Sequence, residues 1–368
     1  MQRIPDFDGL RFVLCLGIAF FHYSFRLPIE NTELQNVILR FSYFTDIFFI
    51  LSGLFLARRQ NYVWNRRSYV AFIAKRLARI YPLHVAVFSC FALLSVLTAA
   101  GILHPNIQPD LSWRNALAQL FLVHGWGMGR SFSYNYVSWS LSALFLMYLC
   151  FPCFDVLHRR YGGGVLILVI AAVIGGEYLA RRLGAPSLTR VQFADIGVLR
   201  ALPSFLFGMW LARLRPTEFS RLSISFALIA CLLVFLFYQP SYPVGSGPTL
   251  EGPWRLLFLY VFMFVLFVAS IQGISTPLRW SGFVTFSRYS FGIFILHPLV
   301  GLLFFNALPA TWGRSVASAL LLASAGVLVS VFVAAIAWRL FENPVHRWLI
   351  GRIDAWAKRP HTALSVPN

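Results

Sequence analysis

The sequence predicts an all-α, polytopic integral membrane protein. Three observations carry that prediction. Hydrophobic residues fill 58% of 368 positions and charged residues only 12%, a balance too apolar for a soluble domain of this size. Apolar stretches near twenty residues, the length a helix needs to cross hydrocarbon, recur along the whole chain. The basic residues are also concentrated in particular connections, as they are where topology is fixed by positive charge.

About ten spans satisfy that charge pattern, at roughly 9–29, 38–57, 80–102, 138–157, 164–180, 197–214, 222–238, 254–272, 288–305 and 316–338. The first carries its charges inside the apolar segment, and no small-x-small site follows, so it reads as a retained span. The connection between the second and third holds Arg58, Arg59, Arg66, Arg67, Lys75, Arg76 and Arg79 and no acidic residue, which places it in the cytoplasm. Arg159 and Arg160, then Arg213, Arg215 and Arg221, then Arg279, and the tail from Arg339 to Arg359 fall on the same side. The loop around 239–253 has neither Lys nor Arg, as an outer loop should. Both termini are therefore expected in the cytoplasm, with a membrane-embedded domain over 1–345 and a basic tail over 346–368. Asn115–Val123 is too short to span and reads as a re-entrant or interfacial helix in a long outer region, 103–137. Arg181, Arg182 and Arg190 break the charge rule in an outer loop, which implies an anion site or a displaced boundary. No internal repeat is visible, which weakens a carrier built from inverted halves.

The formal net charge of +18 follows from the inner loops, and nucleic acid is not an expected partner. Five cysteines, an odd number, argue against a disulfide scaffold. Cys150 and Cys153 form one isolated C-x-x-C, so no metal site is expected.

The polar residues inside the apolar spans point to chemistry. Arg11 and His22 lie eleven residues apart, close to three helical turns, so both project from one face about 16 Å apart. A guanidinium and an imidazole in hydrocarbon are costly, so that face is expected to meet a protein interior or a wet cavity. Asp46 falls at a similar depth on the antiparallel second span, where a carboxylate beside His22 would fix its tautomer and raise its basicity. Ser52-Gly53 would let another helix approach closely. Lys75, Arg76 and Arg79 form a cationic pad at the cytoplasmic face, suited to phosphates or to anionic lipid headgroups. Trp139-Ser140-Leu141-Ser142 opens the fourth span, where a tryptophan ordinarily belongs to the interfacial belt. Arg200 enters the sixth span, His297-Pro298 breaks the ninth, and Glu342-Asn343-Pro344 closes the last.

Taken in order, these residues resemble the acyltransferase-3 family of integral membrane acyltransferases over nearly the whole chain. Asp8-Gly9-Leu10-Arg11 followed by His22 is similar to the family's opening. Asp46 through Ser52-Gly53 resembles its second-helix signature, and Lys75-Arg76 through Arg79, Tyr81 and Pro82 its basic stretch. Trp139 to Ser142 with Phe151-Pro152 resembles its mid-chain block, and Arg200 with Phe205 and Gly208 another of its helices. Tyr289-Ser290-Phe291 to His297-Pro298, then Phe341-Glu342-Asn343-Pro344, resemble the closing segments.

The resemblance implies transfer of an acyl group, usually acetyl, from cytoplasmic acyl-CoA to a sugar hydroxyl of an exported glycan or glycolipid. The setting it implies is a bacterial inner membrane, with membrane lipid and polysaccharide-assembly proteins as neighbours. Acetyl-CoA would be a co-substrate, and no permanently bound cofactor is implied. It makes Arg11 and His22 necessary, with Asp46 beside them. Arg11, Lys75, Arg76 and Arg79 would hold the nucleotide phosphates, and Trp139, Ser140, Arg200 and His297 the acceptor. His22 would act as a base or carry the acyl group itself. The family often has a glutamate two residues after W-S-L-S. Leu144 stands there, so a second carboxylate would have to come from Asp46, Glu177 or Asp195. The chain ends soon after its last span, so no extracytoplasmic hydrolase-like domain is expected. Two other classes fit the same composition. A transporter or flippase would need Arg11 but not His22, and an inactive assembly partner would need neither.

Overall fold

The structure, a computed structural model, describes residues 4–27, 32–58, 62–104, 110–128, 133–184, 197–215, 218–237, 253–309, 312–313 and 315–358. Their regular elements are helical. Helix α1 (Pro5–Ser24) starts with Pro5 and has Asp6 and Asp8 in its first turn, a composition that suits the unpaired N–H groups and positive end of a helix N-terminus. Helix α2 (Thr32–Leu39), a 3-10 turn (Arg40–Tyr43) and α3 (Phe44–Ala57) run on without a break. Helix α4 (Arg66–Ala99) has 34 residues and starts at a reciprocal capping box between Asn65 and Ser68. After them come α5 (Trp113–Leu120), α6 (Trp139–Tyr161), α7 (Gly163–Arg182), α8 (Gly197–Leu211), α9 (Arg221–Phe237), α10 (Pro253–Ile271), α11 (Ser281–Phe286), α12 (Ser290–Asn306), α13 (Val316–Ala337) and α14 (Asn343–Lys358).

Among the described residues, six stretches are long and apolar enough to cross a membrane: Leu34–Ala57, Arg66–Ala99, Tyr136–Tyr161, Gly163–Ala180, Ser281–Asn306 and Val316–Lys358. Helices also form at the other predicted spans, but α8, α9 and the apolar part of α10 are shorter. Arg190, Asp195 and most of the 239–253 loop lie outside the described residues, as do Arg59 and the side chain of Arg181.

The closest helix crossing is between α3 and α8. A Cβ on Gly53 would sit 2.0 Å from the Phe205 carbonyl oxygen, and one on Gly208 would sit 1.9 Å from that of Ile50. Only glycine permits this double approach. It presses α3 and α8 together below the point where Asp46 and Arg200 meet.

Most arginines flagged at the sequence level gather at one end of the bundle. Asp155, fully buried, accepts from Trp64 Nε1 at 2.9 Å and pairs with Arg159 and Arg213. Asp6 accepts from Thr276 Oγ1 (2.6 Å) and Arg279 Nε (2.8 Å), tying the start of α1 to the turn before α11. Helix α13 passes through a π-turn, Trp338–Glu342, directly into α14. The helix therefore crosses position 345 without a break, and its last part lies against α4. Lys75 Nζ reaches Asp354 Oδ1 at 2.5 Å, Arg67 donates to the Trp356 carbonyl, and His346 Nδ1 meets the Ala78 carbonyl at 3.2 Å.

The segment read as re-entrant does descend into the bundle. His84 Nε2 lies 2.8 Å from the carbonyl oxygen of Gln119 at the end of α5, fifteen residues before the end of α4 and about 22 Å down its axis. Gln119 and Ser138 hold this segment in place, with Gln119 Nε2 donating to the Ser133 carbonyl and Ser138 Oγ to Gln119 Oε1. Ser142 Oγ donates to the Leu122 carbonyl and accepts from Gly125 N, and its own carbonyl accepts from Trp126 Nε1. Ser142 of the Trp139–Ser142 block, with Ser138 before it, thus fastens a buried loop whose polar groups need partners.

Candidate active site

A cavity of about 790 Å³ opens at the end of the bundle opposite the basic cluster. The last turn of α1 supplies His22, the turn after that helix supplies Arg26, and the start of α6 supplies Trp139 and Ser140. Arg200 comes from α8, and Tyr136 from the turn before α6. Four residues selected from sequence, His22, Trp139, Ser140 and Arg200, therefore share one wall-to-wall space.

His22 is held from behind. Its Nδ1 lies 2.9 Å from Nε2 of His297, and the two rings are nearly parallel, 14° apart. His297 is fully buried, with its Nδ1 3.2 Å from the Ile293 carbonyl oxygen one turn earlier in α12. A carbonyl only accepts, so His297 Nδ1 carries the proton and its Nε2 presents a lone pair. His22 Nδ1–H then donates to that lone pair, which leaves the lone pair of His22 Nε2 on the cavity side. Tyr23, the next residue, donates to the His297 carbonyl at 2.8 Å and meets Ser330 Oγ of α13 at 2.5 Å, so three helices fix the position of His297. His297, expected among the acceptor contacts, stands behind His22 and is not part of the described lining. Its proline neighbour gave a reason to notice it, but nothing in the sequence linked it to His22 across 275 positions.

Asp46 does not take the predicted place beside His22. Both of its oxygens are bound by Arg200, Oδ1 from Nε at 2.9 Å and Oδ2 from Nη2 at 2.8 Å. Both side chains are buried. Counting residues inward from the basic edge could not tell the direction that Asp46 faces. The planar fork of Arg200 matches two carboxylate oxygens as an imidazole does not. Arg200 also lies 5.4 Å from the Trp139 ring centroid, and Trp139 packs edge-on against Phe49. Carboxylate, guanidinium and indole thus form one rigid wall.

At the basic end the predicted cationic pad is divided among partners. Arg11 pairs with Asp8 and lies over Phe55. Arg79 reaches the buried Glu342 at 2.7 Å and lies over Phe291. Arg76 lies over Phe72. A cavity of about 420 Å³ beside α14 is lined by Tyr62, Arg67, Phe72, Lys75, Arg76 and other residues, without Arg11 or Arg79 in its described lining. Glu342 looked like a helix stop in the sequence, but the π-turn aims it at Arg79, and such turns are frequent at functional sites. Leu144, at the position where a glutamate is common, is packed against the main core. Glu177 is buried on α7.

A helical bundle with spans long enough to cross a membrane, a histidine in a largely apolar cavity with a few polar groups and a basic opposite end has the form of a membrane-embedded enzyme. Residues 4–339 match the family described as Acyltransferase domain, Acyl_transf_3, and the chain belongs to this acyltransferase family. A relative, the acyltransferase MdmB of Streptomyces mycarofaciens, is 26% identical over 400 residues, which cover 98% of this chain and 96% of that protein. No solved structure matches.

Proposed function

We propose that this acyltransferase moves an acyl group, acetyl first among candidates, from cytoplasmic acyl-CoA to a hydroxyl of a sugar on an exported glycan or glycolipid. The observation that carries the reading is the 2.9 Å contact between His22 Nδ1 and His297 Nε2, which leaves Nε2 of His22 for a cavity large enough for a sugar ring. In this reading the basic end faces the cytoplasm of a bacterium and the His22 cavity opens to the outer side of its inner membrane. Lys75, Arg76 and Arg67 hold the nucleotide phosphates beside α14, Arg79 stands close by, and Arg11 sits at the foot of α1. The pantetheine arm then reaches along α1, whose rise from Arg11 to His22 is about 16 Å.

The transfer step is a general-base displacement. His22 Nε2 takes the proton of the acceptor hydroxyl as its oxygen attacks the thioester carbonyl. The tetrahedral intermediate collapses, the C–S bond breaks, and the imidazolium returns the proton to the departing CoA thiolate. The products are an O-acyl ester and free CoA, with His22 back in its starting tautomer. His297 keeps Nδ1 of His22 engaged throughout. Arg200, fixed by Asp46, supplies positive charge at the cavity wall where the oxyanion develops. Trp139 and Tyr136 offer aromatic faces to a sugar ring, with Ser140 and Ser42 at its hydroxyl edge. Polysaccharide-assembly proteins are the partners this placement suits.

The test compares base-labile acyl groups on envelope polysaccharide in strains without the gene, with it restored, and with His22→Ala at equal protein level. Acylation restored by wild type and absent with His22→Ala supports the proposal. Full restoration by His22→Ala favours a transporter or scaffold.

A further inference from the structure

We infer that the acceptor is anionic, and that Arg26 reads its carboxylate or phosphate at the mouth of the His22 cavity. The inference rests on the acyl-transfer reading above and names the substrate class of the same cavity.

Arg26 lies four residues beyond His22, in the turn that follows α1, and both residues line the cavity. It is exposed, and no hydrogen bond or ion pair engages its guanidinium among the described residues. It differs in this from the arginines seated against the bundle. Arg11, Arg79, Arg159, Arg200, Arg213 and Arg279 each have a carboxylate partner. The described lining contains no Asp or Glu. Asp46, the nearby carboxylate behind the wall, has both oxygens committed to Arg200. Around the mouth, the turn after α1 brings Arg26, α8 brings Arg200, the 3-10 turn before α3 brings Ser42, and α3, α6 and α12 bring Thr45, Ser140 and Asn306, neutral donors and acceptors. Arg26 is also within electrostatic reach of His22, Tyr23 and Tyr136.

A cavity with a net positive wall and no acid of its own favours a negative ligand. A guanidinium with free donors binds carboxylate or phosphate bidentately. The spacing is also suitable. Arg26 follows His22 by four residues and lines the same cavity, so a uronic acid or sugar phosphate can hold its anion on Arg26 while a ring hydroxyl meets His22 Nε2. A neutral sugar would leave Arg26 with water alone.

The experiment is thermal unfolding of the purified full chain in detergent, titrated with glucuronate, glucose 6-phosphate, glucose and sodium sulfate at matched ionic strength. It uses wild type, Arg26→Gln and Arg26→Lys. A ligand that binds the folded state raises the unfolding temperature by mass action. The expected result is that glucuronate or glucose 6-phosphate stabilises wild type at concentrations about tenfold below glucose, the factor of one charge-assisted contact. Arg26→Gln should remove that preference, and Arg26→Lys should retain part of it. The better of the two sugars tells carboxylate from phosphate. Equal responses to glucose and glucuronate overturn the inference, as does an undiminished preference in Arg26→Gln, or no sugar response at all. A sulfate response equal to that of the sugars also overturns it, and points to a generic anion or lipid headgroup. A parallel titration of wild type with acetyl-CoA reads the donor side, so loss of the acyl-transfer reading is visible separately.

Discussion

Nε2 of His297 lies 2.9 Å from Nδ1 of His22, ring against ring, and this contact determines which nitrogen of His22 meets the cavity. Without it, His22 loses the ring partner that fixes its orientation from α12. The direction of that contact comes from a backbone carbonyl, that of Ile293, which can only accept.

His297→Ala should therefore reduce the transfer rate by on the order of 10²-fold, the lower range for losing an oriented base. His297→Gln, whose side-chain oxygen can accept from His22 Nδ1, should recover part of the loss. Initial rates of CoA release at saturating acyl-CoA read this directly. A purely structural role for His297 would lower the amount of folded protein and leave the rate per folded molecule unchanged.

Arg200→Ala should destabilise the fold by about 3–5 kcal/mol, because it leaves a buried carboxylate unpaired. Arg200→Lys should recover little, since an ammonium cannot match both oxygens of Asp46. Removing both charges in Asp46→Asn/Arg200→Leu should cost less than Arg200→Ala alone. Thermal unfolding in detergent, followed by tryptophan fluorescence, would show the order of the three variants.

Gly208→Val should separate α3 from α8, since its first side-chain carbon would sit 1.9 Å from the Ile50 carbonyl oxygen. The expected outcome is a sharp fall in monodisperse protein on size-exclusion chromatography. Gly164→Ala is the control, because nothing lies within 4 Å of an added Cβ there.

Asp354→Asn should release Lys75 from its 2.5 Å ion pair with α14. Both side chains are partly exposed, so stability should change little. If Lys75 binds nucleotide phosphate, its release should lower the KM for acyl-CoA a few-fold and leave kcat unchanged. An unchanged or raised KM would show that α14 builds the donor site rather than competing with it.

Much of this was legible in the chain. The apolar stretches gave the helices, because backbone in lipid must satisfy its own hydrogen bonds. The glycine at 53 announced a close crossing. His22, Trp139, Ser140 and Arg200 were selected as functional and do share a cavity. The pairings were harder to read. Residue counting along a helix is blind to rotation, and which way Asp46 faces depends on how α3 rotates against α8. His297 meets His22 only because α1 and α12 pack together, a contact without a local signal. The neutralising carboxylates Glu342 and Asp354 lie far along the sequence from Arg79 and Lys75, so the pad looked more positive in sequence than it is. Arg26 was visible four residues after His22, but its importance comes from the absence of a partner, which only the described surroundings reveal.

The central claim is that the unprotonated nitrogen of His22 takes the acceptor proton. The most direct measurement is the rate of CoA release from acetyl-CoA by purified wild type and His22→Ala in lipid nanodiscs, with acceptor glycan present and absent. The account predicts acceptor-dependent release by wild type and a loss of about 10²- to 10⁴-fold in His22→Ala, the range for removing a general base. Acceptor-dependent release at the wild-type rate by His22→Ala would contradict it.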